Sequence, residues 1–364
     1  MTMVILGGWF IDTGLNDMRI KLKLVSCSFV LAVMCLAASA QRHYVCYYAA
    51  QQPVIDGSGN ELVWQQAPWT EDFTDIEGDI RPKPSLRTRV KMLWDSMYLY
   101  IYAELQEPEL WGTLHQHDTI VYDDNDFEIF VNPDNSTHRY FELEINALGT
   151  VMDLFMNKPY RNGGKPLLSW DAQGSLIAVK TVGTMNQPGD VDEGWSVEMA
   201  IPLKSLGFWG DSPVRNGDQW RINFSRVEWD RDIRDGQYLV RTDAATGKRL
   251  PEHNWVWSPQ GIIDMHAPEK WAYLQFSTHV GGKDTVAFAV PADAGAREML
   301  WMIYEHERKY LREEGHYAGK LKELGLMGKS VEIQATDTQF TARITSPAFG
   351  SLSIDQDGEI ESRH

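Results

Sequence analysis

Apolar and polar residues alternate along most of this chain with a period of two, the signature of strands with one face turned to a core. The clearest pair spans residues 126–132 and 140–146. In the first, Phe127, Ile129 and Val131 oppose Asp126, Glu128, Phe130 and Asn132; in the second, Phe141, Leu143 and Ile145 oppose Tyr140, Glu142, Glu144 and Asn146. The segment between them, from Pro133 to His138, is dense in turn formers, so the pair reads as an antiparallel hairpin with an apolar face and an acidic one. A second hairpin is expected over 89–94 and 97–105, with Leu99, Ile101, Ala103 and Leu105 on its dry face. Further strands are expected at 53–55, 151–156, 176–182, 194–202, 220–229, 255–259 and 271–276. Residues 157–170 and 230–254 read as loops. Many short strands without intervening amphipathic helices predict a mainly β protein, an antiparallel β-sandwich of jelly-roll type.

Past residue 281 the pattern changes. Asp293 is placed to cap a helix running to about Glu314, which Gly315 ends, and 318–324 reads as a second short helix. Strand-like pieces follow near 331–335, 340–344 and 352–354. This is a small C-terminal α+β appendage over 282–364, beside a sandwich over 41–281.

The amino terminus reads as processing rather than fold. Met18 to Lys23 is a basic start, Leu24 to Leu36 an apolar run, and Ala37 to Ala40 a small-residue cleavage site before Gln41. Residues 18–40 are thus expected to be a signal peptide and 1–17 a gene-model extension. The mature protein is then periplasmic or extracellular, with no membrane insertion after cleavage. The formal net charge of −17 over the full sequence argues against nucleic acid and anionic membranes as partners. Of the three cysteines only Cys46 lies beyond residue 40, so no internal disulfide is expected.

The acidic face carries the candidate chemistry. Glu128, Glu142 and Glu144, with Asp123, Asp124 and Asp126, would repel one another unless answered by a cation, an arginine or a hydroxyl-rich ligand. Three uses fit. Hard oxygens suit calcium or sugar hydroxyls; a carboxylate pair suits a glycosidase or lyase; or the face is solvated and paired with Arg221 and Arg226. Arg221 and Asn223 stand on the outward side of the neighbouring strand. Trp111, Trp170, Trp209, Trp229 and Trp255 lie in or beside loops, where an indole can meet a sugar face. His115 and His117 share a strand face but lack a third ligand at zinc-site spacing.

Five pieces in order give the chain a resemblance. They are Pro53 to Gly57; Leu93-Trp94-Asp95 with Leu99-Tyr100; Asp126 to Phe130; Gly194 to Glu198 with Ala200-Ile201-Pro202; and Trp257-Ser258-Pro259. Together, over residues 50–277, they resemble the family 9 carbohydrate-binding modules and their exported bacterial relatives. The resemblance implies a glycan-binding sandwich, often with structural calcium, associated with polysaccharide breakdown. It implies a sugar held between two tryptophans. The first of these positions falls on Tyr122 and the second near Met265, while a binding carboxylate falls on Glu128 and the family's arginine on or beside Glu144. The expected ligand-binding set is therefore Tyr122, Glu128, Glu142, Glu144, Arg221, Asn223 and Trp111. Asp123, Asp124 and Asp126 are the expected calcium ligands, with no organic cofactor and no catalytic residue assigned. A hydrolase or lyase acting through the same carboxylates is the alternative. A haem-binding sandwich would need Met265 or His266 as axial ligand.

Overall fold

The computed structural model describes residues 41–207, 213–283, 285–327 and 331–363. The readings made on residues 1–40 and on Trp209 lie outside them. Residues 42–364 form one unit.

Strands follow the alternation closely. In chain order they are β1 (His43–Tyr48), β2 (Thr74–Asp75), β3 (Thr88–Trp94), β4 (Tyr98–Gln106), β5 (Asp126–Asn132), β6 (Tyr140–Asn146) and β7 (Val151–Met156). Then come β8 (Pro166–Leu167), β9 (Leu176–Val182), β10 (Gly194–Pro202) and β11 (Gln219–Glu228). The order continues with β12 (Arg231–Arg234), β13 (Gln237–Val240), β14 (His253–Val256) and β15 (Ala272–Val280). The hydrogen-bonded path runs β8-β7-β6-β5-β11-β15-β1-β3-β4-β10-β9, with β14 pairing β11 and β2. This path doubles back on itself around one core. The residues that alternation turned inward, among them Phe127, Ile129, Leu143, Ile101, Val197 and Phe224, meet there and are fully buried.

The turn from one layer to the other is made by β1. It pairs in parallel with β15 from His43 to Cys46, slips register, and then pairs in parallel with β3 through Tyr47 and Tyr48. An irregularity of this kind bends a strand and lets it serve two sheets. The sandwich is thus antiparallel except at this corner strand, which the sequence reading missed.

Other expectations need correction. Residues 53–55 form no strand. They belong to an extended segment laid over the outside of β10, where the backbone N–H groups of Asp56 and Gly57 donate to Glu198. The short helix α1 (Leu62–Gln66) continues it and buries Trp64, whose Nε1 donates to the same carboxylate at 2.7 Å. Residues 230–254 are not one loop, because β12 and β13 form a hairpin within them. Residues 157–170 hold a single 3-10 turn and β8.

The C-terminal appendage contains the expected helix, α2 (Ala294–Glu314), closed by Gly315 at φ 80°. Asp293 does not cap it with its side chain and pairs instead with Arg297 at 2.8 Å. The expected helix at 318–324 is a run of turns. The amides of Glu323, Leu324 and Gly325 donate to the carbonyls three residues back, Lys320, Leu321 and Lys322, so the segment closes as tight turns rather than as an α-helical ladder. Four strands rather than three complete it: β16 (Val331–Ala335), β17 (Phe340–Ser346), β18 (Gly350–Asp355) and β19 (Ile360–Arg363). The appendage has its own apolar core, including Leu300, Ile303, Phe340 and Ile354.

Candidate functional site

The acidic face of the β5–β6 hairpin is not solvated. Every residue of both strands is buried, including Glu128, Glu142 and Glu144. The face is roofed by Val121, Met265 and Trp271 with Phe130, Tyr140, Met152 and Leu154, a second apolar cluster outside the sandwich core. What remains open is a groove of about 460 Å³, whose lining includes Tyr122, Glu128, Glu142, Glu144, Tyr160 and His266.

The carboxylates stand side by side because the register puts them there. Glu128 is directly opposite Glu144, and Glu142 opposite Phe130. Side chains so paired sit about 5 Å apart at Cβ. Little answers their charge. Glu144 accepts a hydrogen bond from the Tyr122 amide at 3.1 Å, and Asp126 one from the Val227 amide at 3.2 Å. One oxygen each of Asp126, Glu128 and Glu142 is buried and accepts no hydrogen bond. Burial first, and then mutual repulsion, pushes Glu142 up to about 8; burial chiefly, with the nearby Glu252 charge adding to it, pushes Glu128 up to about 7. Asp126 and Glu144 lie well above the usual carboxylate range for the same two reasons.

Neither arginine invoked from the sequence pairs with this face. Arg221 lies at the far end of β11, where it donates to Asn135 Oδ1 at 2.8 Å, to the Trp271 carbonyl at 2.9 Å and to the Tyr273 hydroxyl. Arg226 is fully buried and pairs with Glu107 at 2.9 Å and Glu228 at 2.8 Å, a network that Arg231 joins. Asn223 is likewise a framework residue: its amide donates to the Ser258 carbonyl and its oxygen accepts from the Ser258 amide. Trp111 is no platform, because it packs with Val227, Trp229 and Tyr238 in a buried cluster. Trp229 and Trp255 are buried too, and Trp170 packs on the main core.

The expected calcium set does not assemble. Asp123 pairs outward with Arg249 at 2.7 Å. Asp124 spends both oxygens on the amides of Thr113 and Leu114, the Thr113 hydroxyl and the Asn146 amide. Only Asp126 faces the cluster. Among the described residues, two other groups bring donor atoms within 4.8 Å of one another: Asp126 with Glu128 and Glu144, and His117 with Asp153 and Asp171. His117 thus does find partners, on β7 and in the following loop as well as in its neighbour Asp118 at 3.1 Å. His266 and Met265 belong to the groove wall. The His266 Nδ1 pairs with the Tyr140 hydroxyl at 2.8 Å, and Gln260 donates to the Met265 sulfur at 3.0 Å.

Tyr122 is placed as the sequence reading expected. It sits on a 3-10 turn (Val121–Asp123) at the groove rim with a ring 42% exposed. The turn is fixed by its amide bond to Glu144 and by Trp229 Nε1, which donates to the Tyr122 carbonyl at 2.8 Å. Tyr160, 47% exposed, also lines the groove, its ring edge-to-face with His266 at 4.4 Å, and the sequence reading passed over it. It opens a turn between Pro159 and Gly163, and its neighbour Arg161 ties that turn to Glu269 at 2.7 Å and to the His266 carbonyl at 3.1 Å. A tyrosine next to Pro-Gly turn chemistry was the available signal, but nothing local says which surface such a loop covers.

All three glutamates rise from one floor, whereas a glycosidase pair stands on either side of the bond it breaks. A groove lined by carboxylates and by two exposed tyrosines has the chemistry of a binding site for a flat-faced polar ligand.

The chain is 29% identical over 100 residues to endo-1,4-beta-xylanase C of Paenibacillus barcinonensis, a match covering 23% of this chain and only 9% of the xylanase. Among solved structures it is similar to a family 9 carbohydrate binding module of Caldicellulosiruptor kristjanssonii in complex with cellotriose. That similarity has 15% identity and a TM-score of 0.43, over 69% of this chain and all of the module. A family 9 module from the same organism in complex with glucose gives 16% identity and a TM-score of 0.42, over 66% of this chain and 98% of the other. Residues 55–255, more than half of the chain, match the carbohydrate family 9 binding domain-like family, and the protein belongs to it.

Proposed function

We propose that the groove over the β5–β6 hairpin binds a carbohydrate, and that the protein serves polysaccharide breakdown by holding glycan rather than by cleaving it. The observation that carries this reading is one groove that brings together Tyr122 and Tyr160, each about half exposed, with Glu128 and Glu142, each of which has a buried oxygen that accepts no hydrogen bond. A sugar ring between the tyrosines would bury its C–H faces, while its hydroxyls donate to Glu128 and Glu142. Each neutral exchange of water for protein contributes only about 0.5–1.5 kcal/mol, so stacking has to supply much of the affinity. In this reading Tyr160 takes the place that the family resemblance left empty near Met265. A glycan array followed by titration calorimetry on its best ligand tests the proposal. Binding lost in Tyr122→Ala and in Tyr160→Ala supports it, and binding unchanged in both would move the site elsewhere.

The reading includes export, supported by the basic, apolar and small-residue succession over 18–40. Amino-terminal sequencing of protein secreted by its host should start within a few residues of Gln41, and retention of 1–17 would overturn this.

A further inference from the structure

A ligand for this groove has to do more than offer hydroxyls. Its lining, among the described residues, holds five acidic side chains, Glu128, Glu142, Glu144, Glu252 and Asp264, and neither lysine nor arginine. Asp264 is answered by Arg161 at 3.4 Å. No basic residue answers the floor. Glu128 and Glu142 line the groove, are each more than nine-tenths buried, and each has one oxygen that accepts no hydrogen bond, as has the neighbouring Asp126. His266 is the one lining group that could turn cationic. Its Nε2 lies 3.8 Å from Glu142, but burial chiefly, and Arg161 secondarily, hold its pKa down to about 4, so the ring is neutral at ordinary pH. Aromatic faces complete the enclosure, Tyr122 and Tyr160 at the rim and Phe130 on the floor. Ionised acceptors, aromatic rings and missing basic residues are the features by which proteins receive an ammonium group.

Resting on the carbohydrate reading above, we infer that the groove selects a sugar carrying a free amine. The protonated amine seats among Glu128, Glu142 and Glu144, and the sugar ring lies against Tyr122 or Tyr160. A neutral sugar can donate hydrogen bonds to these oxygens but leaves their mutual repulsion in place. An ammonium removes it. Binding then favours the ionised carboxylates and expels the protons they share, so affinity should climb as pH rises from about 5.5 to 8, until the amine itself deprotonates. The other charged groups facing the floor, Asp126, Glu252 and the Arg161–Asp264 pair, do not reverse that sign, because Arg161 is spent on Asp264 and Glu269.

The test is calorimetric titration of the chain, with chelator and at low salt near pH 7. The probes are the fully deacetylated glucosamine trimer, the same trimer N-acetylated, and cellotriose. The inference expects the amine trimer to bind at least about tenfold tighter than either neutral probe, the scale of a single charge-assisted hydrogen bond. It expects that preference to fall with added salt and to shrink in Glu142→Gln and in Glu128→Gln. Either variant, with circular dichroism and melting temperature preserved, serves if the other fails to fold. Cellotriose or the acetylated trimer binding as tightly as the amine would overturn the inference and leave the carbohydrate reading standing. Cellotriose binding that appears only when calcium replaces the chelator would also overturn it, by placing a divalent ion on Asp126, Glu128 and Glu144. Failure of all three probes would overturn it as well, and an empty glycan array would then take the carbohydrate reading with it.

Discussion

Tyr122 and Tyr160 reach the same groove by different routes. Tyr122 follows directly from a strand pattern, because it precedes β5 by a short turn. Tyr160 stands on a loop, aimed by the contacts its neighbours make, among them those of Arg161 with Glu269 and the His266 carbonyl. Either ring replaced by alanine should weaken ligand binding by about 1–2 kcal/mol while leaving the melting temperature nearly unchanged, since each is half exposed and carries little core. Titration beside a thermal melt checks both halves of that statement. Arg226 should behave in the opposite way. It touches no ligand, yet Arg226→Met leaves two buried carboxylates, Glu107 and Glu228, to share Arg231, which should cost on the order of 3 kcal/mol in chemical denaturation. At this scale the sequence was legible where alternation assigned a side, as for Glu128, Glu142 and Glu144. It was not legible for Arg221, Arg226, Asn223 and Trp111. Alternation gives the face of a residue but not its position along the strand, so Arg221 stands at the far end of β11, while Arg226 lies on the opposite face from Ser225 and Val227 and pairs there with Glu107 and Glu228.

The β5–β6 hairpin shows the same limit in an element. Its period of two correctly separated Phe127, Ile129 and Val131 from Asp126, Glu128 and Phe130, but a polar face need not be a wet one. Loops from distant parts of the chain, around Val121, Tyr160 and Met265, cover it. Burial there has a thermodynamic consequence. Glu142 at about 8 and Glu128 at about 7 stand above their ordinary value of 4.5, so between about pH 4.5 and 8 the folded chain holds protons that the unfolded chain has released. Stability contributed by these groups is present in full below pH 4.5 and is lost as pH rises through 7 to 8. Glu307 in α2, raised by burial to about 7, adds the same sign. His266, lowered to about 4, acts the other way and withdraws stability as pH falls from 6.5 to 4. Stability should therefore peak in mildly acidic buffer and decline by a few kcal/mol, order of magnitude, toward pH 8.5. Urea midpoints across that range check it, and Glu142→Gln should flatten the decline. A midpoint that rises steadily toward pH 8.5 would show the floor to be ionised and compensated.

In the whole molecule the C-terminal appendage stops being a mere addition. It grips the loop that carries Tyr160: Lys158 pairs with Asp357 at 3.1 Å, Asn162 donates to the Tyr304 hydroxyl at 2.8 Å, and Arg161 lies over the Trp301 ring. It also holds the β5–β6 turn, where Asn135, Thr137 and Arg139 all take positive φ, a conformation costly for a β-branched residue such as Thr137. The Thr137 hydroxyl donates to the Gly358 carbonyl at 2.7 Å, and Arg139 pairs with Glu359. The appendage thus braces one wall of the groove without touching ligand. Lys158→Ala combined with Asn162→Ala should weaken binding several-fold, about 0.5–1.5 kcal/mol for each bond lost, while β-sheet circular dichroism is kept. Wild-type affinity in the double variant would show that the Tyr160 loop holds itself. Helix α2 and three of the four terminal strands were readable from periodicity. Their role was not, because it rests on contacts between residues two hundred positions apart.

The same remoteness governs β1. Its pairing of His43 with Tyr273 joins the first strand of the fold to the last strand of the sandwich. Closing so long a loop before any contact rewards it is slow, and contacts of this separation put the domain among slow folders. A ribosome that has not yet released β15 presents a sandwich whose corner cannot form. Under the export proposed above, that delay would be useful. The leading segment could then enter a translocation channel as open polypeptide, because the strand that would lock it has not been made.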